Sequence, residues 1–244
     1  MALNVPGVLS KIAEVFEKHK VKVVALNFPP KIQADVEASM FIAGDFTKAE
    51  AYPEEVKEEL ECLDKIREVK HITPQHHQVI VDPYHFPVVD DVGMRSIVFS
   101  EGDMKSLVVD FMKVYGAGGK AFLYHQGRVI GMMTAERHKE MGIVDLKSSL
   151  ELLMLRSFAL GRYRGELIHY SHNDVTGARL IIIRAYDNWE CEIAKKHSIK
   201  GPASHFERGI IAGLVEAHIK EKVTVEEVKC IALNNSYCEF RIIS

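Results

Sequence analysis

Apolar residues recur at Leu9, Ile12, Ala13 and Phe16, positions i, i+3, i+4 and i+7, so the spacing predicts a helix over residues 7–20 with one buried face. Pro6-Gly7 punctuates its start. "VKVVALNF" (21–28) and "VEASMFIAGDF" (36–46) read as strands, separated by a break at Pro29-Pro30. Residues 54–66 open with acids and carry Val56, Leu60 and Leu63, the pattern of an amphipathic helix with favourable charge at its amino end. "QVIVD" (78–82) closes the unit as a strand. Helix, strand, strand, helix, strand is the order of a ferredoxin-like unit whose first strand is only the stub "ALNV", either because that strand is short or because the chain begins further upstream.

Residues 82–94, with two prolines and three acids, suit a linker. Beyond them "DMKSLVVDFMKVYG" (103–116) and "LKSSLELLMLRSFAL" (146–160) have helical spacing. "KAFLYHQGRVIGMM" (120–133) is expected to be a strand pair turning near Gln126-Gly127. "GELIHYSHNDVTGARLIIIRAYD" (165–187) reads as strand, turn and strand, and Trp189 sits amid strand and turn residues. Pro202 stands early in a helix over 202–220 that turns Phe206, Ile210, Leu214 and Ala217 inward. "VTVEEVKCIALNNSYCEFRIIS" ends the sequence as a hairpin around Asn234–Ser236. The fold class is therefore α+β: a ferredoxin-like unit, then a mixed domain (95–244) of antiparallel sheet with helices.

Composition narrows the function. A hydrophobic content of 47%, a charged content of 27% and a net charge of −3 describe a globular protein able to bury a core, without the basic excess of a nucleic-acid binder. No apolar run reaches the roughly 20 residues that span a bilayer. The opening residues lack a signal-peptide pattern, so the expected location is the cytoplasm. Cys62, Cys191, Cys230 and Cys238 are too few and scattered for a disulfide framework. "YGAGGKAF" (115–122) lacks the spacing of a phosphate loop and reads as a flexible connection. His71, His76, His77 and His85 fit no paired-element spacing, and "HYSHND" (169–174) reads as a turn beside a core strand. No nucleophile set and no nucleotide-binding fingerprint is evident, so no catalytic residue is assigned.

Residues 1–81, through "VPGVLSKIAEVFEKHKVKVVAL", resemble an ACT domain, a regulatory module that binds amino acids or similar effectors near a strand-to-helix turn at a dimer interface. The resemblance implies effector binding at Asn4, Val5, Pro6, Gly7, Val8 and Leu9, where glycine admits close backbone approach and a helix amino end favours a carboxylate. The alternative is a tight turn without a ligand.

Residues 95–244, through "DNWECE", "GPASHFERGIIAGLVEA" and "EEVKCIALNNSYCEF", resemble the 4-vinyl reductase domain, a small-molecule-binding module related to aromatic-effector sensors of bacterial activators and to subunits of the TRAPP transport particle. In the zinc-binding sensor relatives a cysteine before the long helix joins a Glu-x2-Cys-x7-Cys stretch. The resemblance thus implies zinc ligands at Glu227, Cys230 and Cys238. Ser204 stands where the first cysteine is expected, and His205 beside it is the candidate replacement. A three-residue turn would pair Cys230 with Phe240 and turn both thiols to one side; Glu227 joins them only through a bulge or turn. The other readings are two buried free thiols with a solvated Glu226-Glu227 pair, or a reversible disulfide. Trp189, Phe206, Phe158 and Tyr186 are candidates for lining an apolar ligand pocket, or for core packing.

Together the two resemblances imply a dimeric sensor of small molecules, a homodimer without direct nucleic-acid or membrane contact. A vinyl reductase of tetrapyrrole metabolism and an assembly scaffold are the alternatives.

Overall fold

Val8, Ile12, Val15 and Phe16 fall on one side of α1 (Val8–Lys18) and are buried together with Val56 and Leu60 of α2 (Pro53–Glu61). These are the predicted periodicities, trimmed at their ends. The computed structural model describes residues 2–28, 37–74, 81–82, 86–90, 93–173 and 175–243, and the chain divides into two compact units, 1–98 and 99–244.

In unit 1, β1 (Ala2–Leu3) pairs antiparallel with β3 (Glu37–Ala38), and β2 (Lys22–Asn27) with β4 (Phe41–Asp45). The stub "ALNV" does pair as a strand. Among the described residues these are two separate two-stranded sheets, not the single sheet of a ferredoxin-like unit. Pro29-Pro30, His76, His77, His85 and most of the strand expected at 78–82 lie outside the described residues.

Unit 2 opens with α3 (Glu101–Lys105), capped by Ser100 and Asp103, and a π-helical turn at Ser106–Asp110. α4 (Phe111–Glu140) follows, kinked at Gly116, then α5 (Leu146–Ala159). β5 (Arg164–His172) and β6 (Arg179–Tyr186) form the expected pair. α6 (Trp189–Lys196) and α7 (His205–Ile219) precede β7 (Thr224–Lys229) and β8 (Cys238–Ile243). The sheet order is β5-β6-β8-β7, antiparallel throughout.

The strand pair expected at 120–133 is helix. Its glycines are not turn formers; they let α4 and α7 touch backbone to backbone. A Cβ on Gly127 or Gly131 would stand 2.1 Å from the carbonyl oxygen of Phe206 or Ile210, and one on Gly209 or Gly213 would stand 2.1 or 1.9 Å from that of Tyr124 or Arg128. Side chains of any size would separate the helices. α7 is consequently apolar around most of its girth and buried along nearly all its length, as a central helix must be.

Two further expectations change. The segment around Trp189 is a helix: Asn188 caps it by accepting from the Glu190 amide at 3.1 Å, acids occupy its first turn and lysines its last. The helix expected from 202 starts at His205, after Pro202, with Ser204 in the N-cap position.

Candidate metal centre

The final hairpin has a longer connection than three residues. Lys229 is the last residue of β7, Cys230 leads into a 3-10 turn at Ile231–Leu233, and Asn234 takes the left-handed conformation (φ 64°). Phe240 therefore faces Glu227, not Cys230, while Cys238 pairs with Ala185 of β6. The register shifts between Glu227 and Lys229, the irregularity on which Glu227's participation depended. This connection carries Cys230 to the same place as Cys238 by a different route from the register expected.

The fourth member is Cys191, from α6. One ligand atom from each of Cys191, Glu227, Cys230 and Cys238 lies within 4.8 Å of the others, and the three cysteines are buried. Cys191 Sγ is 3.4 Å from Cys230 Sγ and 3.4 Å from Glu227 Oε1. Sulfurs bonded to a tetrahedral zinc at about 2.3 Å stand ~3.8 Å apart, and a sulfur and a carboxylate oxygen ~3.5 Å. The donors are thus near the spacing such an ion requires, and three thiolates with one carboxylate are ligands zinc accepts.

His205 is not in this set. It opens α7 with its ring buried, its Nε2 has no hydrogen-bond partner, and its pKa is pushed down to about 4, chiefly by burial and then by Arg208 and Lys120. Cys191, and not His205, supplies the donor beside Ser204.

Ser204 orders the cluster from its edge. Its amide donates to Glu227 Oε2 at 3.0 Å and its hydroxyl to Oε1 at 2.9 Å. With that proton committed, the hydroxyl oxygen accepts from Asn188 Nδ2 and from Cys191 Sγ, each at 2.9 Å. Burial pushes the Glu227 carboxyl up to about 7, with the Cys230 charge adding to it and the Ser204 bonds opposing. Hydrogen bonds from Cys191 and then Cys238 hold the Cys230 thiol down at about 2; the same bond to Cys230 is the chief cause that pushes Cys191 up. Negative charge gathers on one sulfur while its neighbours keep their protons, and a divalent cation is the partner that lets all four ionise together.

A second buried polar network adjoins through α6. Glu190 accepts from the amides of Phe206 (2.8 Å) and Glu207 (3.2 Å), closing the first turn of α7; burial raises its pKa well above the usual carboxylate range. Glu207 takes two hydrogen bonds from Arg162, that from Nε at 2.9 Å, and one from the Trp189 indole at 2.7 Å. Trp189 meets Phe206 edge to face, centroids 6.2 Å apart. The other two pocket candidates do not join them through any ring contact among the described residues. Phe158 is 60% exposed on α5, and Tyr186 packs on Tyr237 while its hydroxyl donates to Glu166 at 3.0 Å.

In unit 1, Gly7 precedes α1 with φ 88° and open space around its Cα. Val8 is buried in that unit's core, Val5 packs against it, and Asn4, Pro6 and Leu9 are exposed.

Known families bear on this geometry. Residues 181–244 match the vinyl-4-reductase domain family. That segment, part of the 4-vinyl reductase domain expected from the sequence, holds all four clustered residues. Two uncharacterized proteins of Methanocaldococcus jannaschii are similar: one is 35% identical over 52 residues, 21% of this chain and 29% of that protein, the other 29% identical over 130 residues, 52% and 66%. The chain thus spans less than two thirds of either relative. Among solved structures, the phenol-responsive sensory domain of the transcription activator PoxR, with phenol, superposes with a TM-score of 0.55 at 16% identity, covering 62% of this chain and 77% of that one. The matched segment therefore sits within a sensory-domain fold.

Proposed function

We propose that unit 2 is a small-molecule sensory domain clasped by a structural zinc ion on Cys191, Cys230, Cys238 and Glu227, working in the cytoplasm, where its thiols stay reduced. The convergence of three buried thiols and a half-buried carboxylate from α6, β7, β8 and the loop between them, inside a fold like that of a phenol sensor, is the observation that supports it. The zinc would supply charge neutralisation and cross-linking. The chain's own residues do the rest: Ser204 orients Glu227, Asn188 orients Ser204, and Glu190 and Trp189 tie the helix bearing Cys191 to the start of α7. A site of this kind has no open coordination position and so serves structure.

The ligand of such a domain is hydrophobic or aromatic, with Trp189 and Phe206 as its nearest aromatic contacts. The turn Asn4–Leu9 of unit 1 is the corresponding place for an amino-acid-like effector. Ligand capture biases one packing of the protein over another and so carries the signal. Thermal-shift screening with amino acids, simple phenols and fatty acids tests the sensory reading. A rise in melting temperature with one class is expected, and no response to any of the three contradicts it.

A further inference from the structure

α4 is built inside out. Its inner face is made largely of small or polar residues, Gly119, Gly127, Gly131, Thr134, Ala135 and His138, with Leu123 the only large aliphatic side chain buried beyond the kink. Its outer face carries the large apolar side chains: Tyr115, Phe122, Val129, Ile130, Met132 and Met133, each 38–60% exposed. Phe122, Val129 and Met133 follow at i, i+7 and i+11, one line along the helix, with Ile130 and Met132 on its flanks. A helix facing only water reverses this distribution.

We propose that this outer face is covered by the same face of a second copy of the chain, the two α4 helices running antiparallel about a two-fold axis. Three observations select that occupant. The first is area. Side chains of this class present roughly 150–250 Å² when aromatic and somewhat less when aliphatic, so the six expose on the order of 500 Å², at the upper end of what a monomer leaves in one apolar patch. With the exposed His125 and Gln126 and the surrounding rim, this approaches the ~800 Å² per partner of a standard interface. Aromatic and methionine side chains are also those enriched at such surfaces.

The second is charge. Among the fully exposed residues of α4, the lysines are Lys113 and Lys120 in its first half and the acids are Glu136 and Glu140 at its end. An antiparallel pair sets each copy's lysine end against the other's acidic end; a parallel pair sets like against like. The third is symmetry: one patch with opposite charges at its two ends is self-complementary, as an isologous contact requires.

Sedimentation equilibrium on the full chain tests this. The wild type is expected at twice the chain mass with a Kd on the order of micromolar or tighter. Val129→Glu with Met133→Glu should sediment as a monomer with an unchanged helical circular-dichroism spectrum, these positions being exposed. Val175→Glu, on the β5–β6 turn, should stay dimeric. A monomeric wild type overturns the proposal, as does a dimer that survives the double substitution; the first outcome would leave the face to a different partner. A nitroxide on Gln126→Cys in a Cys62→Ser chain supplies a check that needs no disruptive change. Dipolar coupling between two labels is expected, and its absence from a dimeric sample would place the contact elsewhere and overturn the assignment.

Discussion

Unit 1 buries eight hydrophobic side chains and, among the described residues, no polar one, whereas unit 2 takes eleven polar or charged side chains inside with its apolar core. Ion pairs of unit 1, such as Lys18–Glu59, lie at its surface; the Arg162–Glu207 pair of unit 2 has its carboxylate fully buried. A buried polar group is costly unless it is met by a partner, and its removal strands that partner. Unit 1 thus holds together by area alone and tolerates surface change. Unit 2 depends on particular atoms meeting, and its candidate chemistry lies among those atoms.

The sharpest break in this comparison comes from backbone approach. Gly213→Val, with a Cβ 1.9 Å from the Arg128 carbonyl oxygen, should prevent unit 2 from folding, a loss above about 4 kcal/mol by chemical denaturation. Gly118→Ala, on the partner helix α4 with open space around it, should be neutral or stabilise by up to ~1 kcal/mol. Next in size, Arg162→Met leaves Glu207 buried and short of its cation, and should cost about 3–5 kcal/mol. Replacing both, Arg162→Met with Glu207→Leu, should recover part of that loss.

A smaller effect is read from pH. His138 is fully buried, its Nδ1 2.7 Å from Ser149 Oγ, and its pKa is pushed down to about 4 by burial first and by Arg156 and His218 after it. The unfolded chain takes up that proton near 6.5, the folded one only near 4. The stability is therefore present above about pH 6.5 and lost as pH falls to about 4, by at most about 3 kcal/mol. Glu190 and Glu227, whose pKa values are raised, act in the opposite direction as pH rises from about 4.5, so the wild-type profile is a sum. The difference between wild type and His138→Gln isolates the imidazole, and an identical acid limb in both would refute its role. Smallest of all, Lys18→Met in unit 1 should leave the melting temperature unmoved, since the pair it breaks is exposed to solvent.

Local periodicity makes α1, α2, α5, β2, β5, β6 and the final strands legible in the sequence, because each buries one face at a regular interval. It fails on α4, where glycine spaced four apart serves helix contact and reads equally well as turns. The Glu-x2-Cys-x7-Cys motif points to Glu227, Cys230 and Cys238 through spacing. Cys191 escapes that motif, although Asn188, the acids after it and Lys195-Lys196 spell out a capped short helix whose inner face it occupies. His205 stands in its place only when adjacency in sequence substitutes for adjacency in space. Nothing local announces that Arg162 meets Glu207 or that His138 meets Ser149, since those pairs exist only once the helices have packed.

Zinc content, by elemental analysis of protein purified without chelator, tests the metal clasp most directly. One zinc per chain in the wild type, retained in Cys62→Ser and His205→Gln but lost in Cys191→Ser together with several degrees of melting temperature, is the predicted result. A metal-free wild type as stable as the zinc-loaded protein, or a Cys191→Ser chain that keeps its zinc, would contradict it.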